Sequence, residues 1–172
     1  MMTMTVFDDA INYTLKYEGG LVENAKDSGG VTNLGISLRF LQTINEAATR
    51  DDIINMTLDT AKELYKTYFW RERFEKITSS QVAIYLFDFC VNAGEPVAVK
   101  HLQRACWSVA KDMTLKDDGM IGDVTIDQVN HSGFLLMPAF RAERANYYRK
   151  EVIKNPDNAL FINGWLKRAY QL

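Results

Sequence analysis

The chain has 172 residues, of which 47% are hydrophobic and 24% charged. That mixture excludes disorder, collagen and a coiled coil, and a chain of this size buries about 70% of its unfolded surface without disulfides or metal. With Lys+Arg 20 against Asp+Glu 22, the net charge of −2 argues against a nucleic-acid binder relying on bulk electrostatics.

The charge is uneven. Residues 139–172 carry seven basic groups and three acidic ones, a net +4, which leaves −6 for the preceding 138 residues. A basic end of this kind suits an acidic polymer or simply solvated helix faces. Cys90 and Cys106 sit among apolar neighbours without C-x-x-C spacing, so buried reduced thiols are expected. His101 and His131, thirty residues apart, complete no zinc pattern, and neither a metal nor another cofactor is expected. No signal-peptide pattern opens the chain, and no uninterrupted apolar run reaches ~18 residues. The expectation is therefore synthesis in the cytoplasm without a signal peptide, and no stable membrane insertion.

In chain order, a first helix is expected from about Thr5 to Glu18. Phe7, Ile11, Leu15 and Glu18 follow at helical spacing, so a glutamate closes the apolar stripe. Gly19-Gly20 is expected to supply a left-handed cap. Residues 21–36 are rich in Gly, Asn, Asp, Ser and Thr, which suits a β-hairpin or ordered loop. Ser37 reads as the N-cap of a short helix through Leu41, and Thr57 as the cap of the next, with Leu58, Ala61, Leu64, Tyr65 and Tyr68 on one face. Ser79 or Ser80 opens a strongly apolar helix to about Ala93, ended by Gly94 and Pro96. Helices over about 97–111, 124–130 and 135–153 follow, with Asp117-Asp118-Gly119 as a turn. After Asn155-Pro156-Asp157 comes a last helix containing Trp165. The class is mainly α with a small β-hairpin after the first helix.

The chemistry concentrates between Glu18 and Ile36. A carboxyl at the end of an apolar stripe is partly desolvated, and desolvation favours the protonated form that a general acid must present. Asp27, in a polar loop, should stay ionised. Two carboxyls in contrasting environments are what glycosidic bond cleavage uses. Thr32 could hold the attacking water, and the glycines let backbone pass close to a bulky sugar chain. The same residues also read as an ordinary helix cap followed by an ordinary turn.

Glu18-Gly19-Gly20 followed by Asp27-x-Gly29-Gly30-x-Thr32-Asn33-x-Gly35-Ile36 resembles glycoside hydrolase family 108, the N-acetylmuramidases related to bacteriophage endolysins. Tyr68-Phe69-Trp70 and Phe87-Asp88-Phe89-x-Val91-Asn92-x-Gly94 continue the resemblance. Leu102-Gln103, Asp118-Gly119-x-Ile121-Gly122-x-x-Thr125 and Gly164-Trp165-x-x-Arg168 resemble its C-terminal peptidoglycan-binding region. A looser similarity to the lysozymes of T-even bacteriophages lies in the order Glu, Asp, Thr. Here eight residues separate Glu18 from Asp27 and four separate Asp27 from Thr32, one fewer than that pattern has, which makes the role of Thr32 less direct and leaves Asp27 as chemist or loop-shaper.

The resemblance implies a lysozyme-like fold with a catalytic region at about 1–95 and a helical peptidoglycan-binding region at 96–172. It implies cleavage of the β-1,4 bond between N-acetylmuramic acid and N-acetylglucosamine. Glu18 would protonate the leaving oxygen, and Asp27 with Thr32 would activate or position water, in an inverting scheme if the carboxyls stand ~6.5–9.5 Å apart and a retaining one if they are nearer ~5 Å, the inverting one being expected. Asn33 would donate to the sugar or orient Glu18, or else lock the hairpin. Trp70 would stack on sugar, and Asn92 would reach an N-acetyl group. Asp88 reads as a buried, paired acid in preference to a cleft residue, Glu23 as a solvated hairpin residue, and Trp165 as a packing anchor. The expected protein is a monomer of phage, prophage or secretion-associated origin. It would act on the wall from the periplasm after holin-type release or dedicated export. A lytic transglycosylase and a non-catalytic wall-binding or secretion-helper module are the alternatives.

Overall fold

The computed structural model describes residues 5–23, 30–111 and 113–172, and only the backbone of Val22 and Glu23. Two compact units divide the chain between Trp70 and Arg71.

In the first unit, α1 (Val6–Leu15) starts at a capping box. The Thr5 hydroxyl accepts from the Asp8 N–H, and an Asp8 carboxylate oxygen accepts from the Thr5 N–H at 2.8 Å. Phe7, Ala10 and Ile11 turn into the core, as the four-residue spacing anticipates. The helix stops three residues before Glu18. Tyr17 and Glu18 both donate to the Thr14 carbonyl, and this tightened last turn satisfies the helix end without a left-handed residue. Neither Gly19 nor Gly20 takes a positive φ, which corrects the cap expected there.

The glycine-rich stretch contains three short antiparallel strands in sequence order: β1 (Val22–Glu23), β2 (Val31–Asn33) and β3 (Ile36–Ser37). Thr32 is central, opposite Val22 on one side and Ser37 on the other. Ser37 ends β3 and caps α2 (Leu38–Ile44), accepting from the Phe40 N–H. Then comes α3 (Arg50–Ile54), which the sequence does not announce because five residues are too few for a helical period to register. Thr57 caps α4 (Leu58–Tyr68) as expected. Ala61 and Tyr65 of α4 are fully buried, whereas Leu58 and Tyr68 of the same stripe are exposed.

The second unit opens with a 3-10 turn (Glu72–Lys76) and α5 (Ser80–Ala93), capped by Ser79. Tyr85 through Cys90 are all buried, so α5 is the central element anticipated from its composition. Gly94, at φ +90°, donates to the Cys90 carbonyl and ends α5. It is also the N-cap of α6 (Glu95–Ala110), so Pro96 stands in the first turn of the next helix, where its missing N–H costs nothing. Helices α7 (Asp123–His131), α8 (Leu136–Lys154) and α9 (Ile162–Tyr170) follow. Pairs α5–α6, α6–α8 and α8–α9 pack together. Cys90 and Cys106 are buried free thiols, and burial pushes the Cys106 thiol up to about 11. Among the described residues no helix is long and apolar enough to cross a membrane.

A buried ionic cluster holds this unit. Asp88 accepts from Arg168 at both oxygens, at 2.7 and 3.0 Å, and pairs with Arg144 at 2.7 Å. Asp88 and Arg144 are wholly buried. The Arg144 guanidinium lies 4.9 Å from the Tyr85 ring centre and 4.8 Å from that of Phe89, so ring faces replace part of its lost water. Burial alone would raise the Asp88 carboxyl, but the two guanidiniums outweigh it and hold the group below the usual carboxylate range. Asp88 is thus the paired, structural acid.

Removing Asp88 strands two buried cations. Asp88→Ala should cost about 3–5 kcal/mol in denaturant unfolding. Because its folded value is depressed, the stabilisation is complete above the ordinary Asp value of ~3.9 and is lost as pH falls through the folded one. The wild-type melting temperature should therefore fall more steeply in that acid range than that of Asp88→Ala.

Candidate active site

Glu18 is half-buried at the end of the turn that follows α1. Its backbone N–H is bonded to the Thr14 carbonyl, and its side-chain stem lies against the β2–β3 turn. That turn has two central residues, Leu34 at φ +50° and Gly35 at φ +77°, joining the paired Asn33 and Ile36. Positive φ at both positions is the pattern of a type I′ hairpin, whose twist matches that of the strands it joins. Leucine in this conformation costs roughly 1–2 kcal/mol. The buried Tyr65 hydroxyl donates to the Leu34 carbonyl at 3.1 Å and helps hold the turn.

Gly35 has no alternative. A methyl group built there would collide with the Tyr65 hydroxyl and would stand 2.9 Å from Cγ and 3.0 Å from Cβ of Glu18. The turn, α4 and the stem of Glu18 meet at this point because residue 35 carries no side chain. Gly19 and Gly20 differ from it. They are exposed, and among the described residues a side chain on either would meet nothing within 4 Å. Packing against the described residues does not require glycine at either position.

The other expected residues fall as follows. Asp27 lies outside the described residues. Thr32 is half-buried on the central strand. Asn33 donates its side-chain amide to the carbonyls of Ile53 and Ile54, at 3.0 and 3.4 Å, which ties β2 to the end of α3. That is the hairpin-locking reading of Asn33. Trp70 is only 7% exposed, with its ring edge-on to Phe7 at 5.3 Å, which is a packing position. Asn92 belongs to the second unit, where its side-chain oxygen accepts from the Tyr148 hydroxyl at 2.7 Å.

Two positions escape the sequence reading. Tyr65 looks in sequence like one more aromatic of a helical stripe, and its hydroxyl proves to be the end that matters. Arg144 belongs to no motif, although Met137, Phe140, Arg144 and Tyr148 all lie on the buried face of α8. An arginine on an apolar stripe was the available signal.

The C-terminal motif residues also come together. Buried Gln103 donates to Asp118, to the Met120 carbonyl and to the Thr125 hydroxyl, and accepts from the Gly119 N–H. Gly119, at φ +77°, presses its α-carbon against the Pro96 backbone, where a side chain would not fit. Backbone and side-chain hydrogen bonds hold the Asp118 carboxyl below its ordinary range. This turn is locked by hydrogen bonds within the chain.

Residues 11–94 match the family model described as glycosyl hydrolase 108, and residues 97–170 match the one described as a predicted peptidoglycan domain. Among solved structures the chain is similar to SagA of Brucella abortus, at 22% identity. The alignment covers 95% of this chain and 92% of that one, with a TM-score of 0.72. At that identity the likeness speaks for the fold. No curated protein matches the chain. The fold is thus a mainly α, lysozyme-like one. Residues 11–94 thus form a glycosyl hydrolase 108 domain and residues 97–170 a peptidoglycan domain, which together make the chain a glycosidase-type peptidoglycan hydrolase.

Gly35→Ala should destabilise the protein by about 1–3 kcal/mol, from overpacking and a strained φ together. Tyr65→Phe should cost about 1 kcal/mol by leaving the Leu34 carbonyl unsatisfied. Because it removes the nearest obstacle, the double variant should be less destabilised than the sum of the two, as a double-mutant unfolding cycle would show. Simple additivity would mean that the two groups do not meet.

Proposed function

We propose that the chain is an N-acetylmuramidase that cleaves the β-1,4 bond from N-acetylmuramic acid to N-acetylglucosamine, with Glu18 as general acid. The observation that carries this reading is the close contact of the Glu18 stem with the Leu34-Gly35 turn, next to the exposed glycines Gly19 and Gly20. An acid must be held in place relative to its substrate, and a bulky glycan needs bare backbone to approach it.

Glu18 donates its proton to the leaving glycosidic oxygen as the bond breaks. Asp27, together with Thr32 of β2, positions the water that attacks the opposite face, giving an inverted product. Asn33 acts through the sheet, keeping β2 on α3. Sugar contacts from Asn33, Trp70 and Asn92 are secondary, since each of these side chains is already engaged within the protein. Catalysis is assigned to about 1–95 and wall binding to 96–172. The two family matches support that division, although the compact units divide at Trp70. An endolysin-like role, with synthesis in the cytoplasm and action on the wall after holin-type release or dedicated export, completes the proposal.

Glu18→Gln should lower reducing-end release from purified sacculi by at least ~100-fold, within the range that one general acid contributes. Its circular dichroism and sacculus binding should match wild type. Mass spectrometry of wild-type digests should show hydrated muramic-acid ends. Anhydro ends would make the protein a transglycosylase, and unchanged turnover in Glu18→Gln would remove that residue from the chemistry.

A further inference from the structure

In the second unit a groove of about 450 Å³ runs between α6 and α8, lined by Arg104, Trp107, Lys111, Glu143, Asn146 and Lys150 among others. That volume lies in the range of small-ligand sites. Its walls are fixed before any ligand arrives. The Trp107 indole N–H donates to the Leu115 carbonyl at 2.7 Å, and Arg104 holds Asp117 at 2.8 Å through Nε alone. Lys111 stands at φ +53°, a left-handed position unusual for a lysine, where its N–H closes α6 on the Trp107 carbonyl. Lys111 and Lys150 are exposed, and neither joins an ion pair among the described residues.

We infer that this groove binds the stem peptide of peptidoglycan, with Arg104, Lys111 and Lys150 taking its carboxylates and Glu143 the free amine of its diamino acid. The inference rests on reading the chain as acting on intact wall, and it names the part of the wall that the second unit reads. Charge is the argument. The N-acetylated glycan backbone is neutral once the lactyl groups carry peptide, so the excess of cations, with Asp117 answering only Arg104 and Glu143 the one carboxylate of the lining, has no counterpart along the sugar. The stem peptide has several carboxylates and one ammonium, the complementary pattern. Asn146 and Ser108 offer partners for its amides, and the Trp107 ring offers a face for its methyl and methylene groups. The basic C-terminal end noted in the sequence thereby gains a use, since Lys150 belongs to it.

The test uses the whole chain with four probes: the tetrapeptide N-acetyl-L-Ala-γ-D-Glu-meso-diaminopimelate-D-Ala, its carboxyl-amidated form, tetraacetylchitotetraose and tetraglutamate. Binding is followed by calorimetry and by the Trp107 indole N–H resonance. The free-acid tetrapeptide should shift that resonance and bind more tightly than the other three. Its affinity should drop at least ~10-fold in the Lys111→Glu, Lys150→Glu double variant, and should fall as salt rises from ~50 to ~500 mM. Both substitutions are on exposed side chains, so wild-type circular dichroism should accompany the loss. The inference is overturned if the tetrapeptide does not bind, if charge reversal leaves its affinity unchanged, or if chitotetraose or tetraglutamate binds the groove equally well. Reducing-end release from sacculi is measured on the same wild-type preparation. Release without peptide binding sinks the groove and spares the muramidase reading, whereas peptide binding without release does the reverse.

Discussion

The close approach of a hairpin turn to the end of the first helix is the constraint on which the surroundings of Glu18 depend. A glutamate in the loose turn beyond a helix would ordinarily sample many rotamers, and immobilising such a side chain costs up to about 2 kcal/mol. Here the Leu34-Gly35 turn lies against its stem, and the Tyr65 hydroxyl braces the turn from α4. The cost appears as a leucine in a left-handed conformation. Strain of this kind persists only where the surroundings over-determine it, and it collects at functional positions.

The second unit solves a different problem with similar economy. Its core carries one acid between two arginines, and the excess positive charge faces the rings of Tyr85, Phe89 and Tyr148. Asp88 on α5, Arg144 on α8 and Arg168 on α9 answer one another, so three packed helices share one electrostatic lock. Gln103 performs the corresponding task for the turn around Gly119, satisfying four polar partners from a single buried amide. Two of the motif residues, Asp88 and Gln103, thus serve as fasteners of the fold.

Helical spacing and capping residues make most of the fold legible in the sequence. Thr57, Ser37 and Ser79 each cap the helix expected of them, because a hydroxyl ahead of an apolar period has few other uses. The failures are equally physical. A five-residue helix has no period to detect, and Gly19-Gly20 looks like a cap because glycine fits both a left-handed turn and an open surface. The half-buried place of Glu18 just beyond α1 was legible from the end of the apolar stripe. The role of Gly35 was not, since its partner Tyr65 is thirty residues away and only the fold brings them together. Trp70 shows the converse: aromatic character and a motif position suggest a sugar-facing ring, and Phe7 occupies its edge in the core.

The central claim is that the side chain at position 18 is held facing the bond to be broken. A crystal structure of Glu18→Gln with a bound oligosaccharide of alternating N-acetylglucosamine and N-acetylmuramic acid tests it most directly. The account predicts the substituted amide at position 18 within hydrogen-bonding reach, about 3 Å, of an intact glycosidic oxygen, with the sugar lying along Gly19-Gly20. A glycan bound elsewhere, with that amide turned into the protein and closed off from it, would contradict the account.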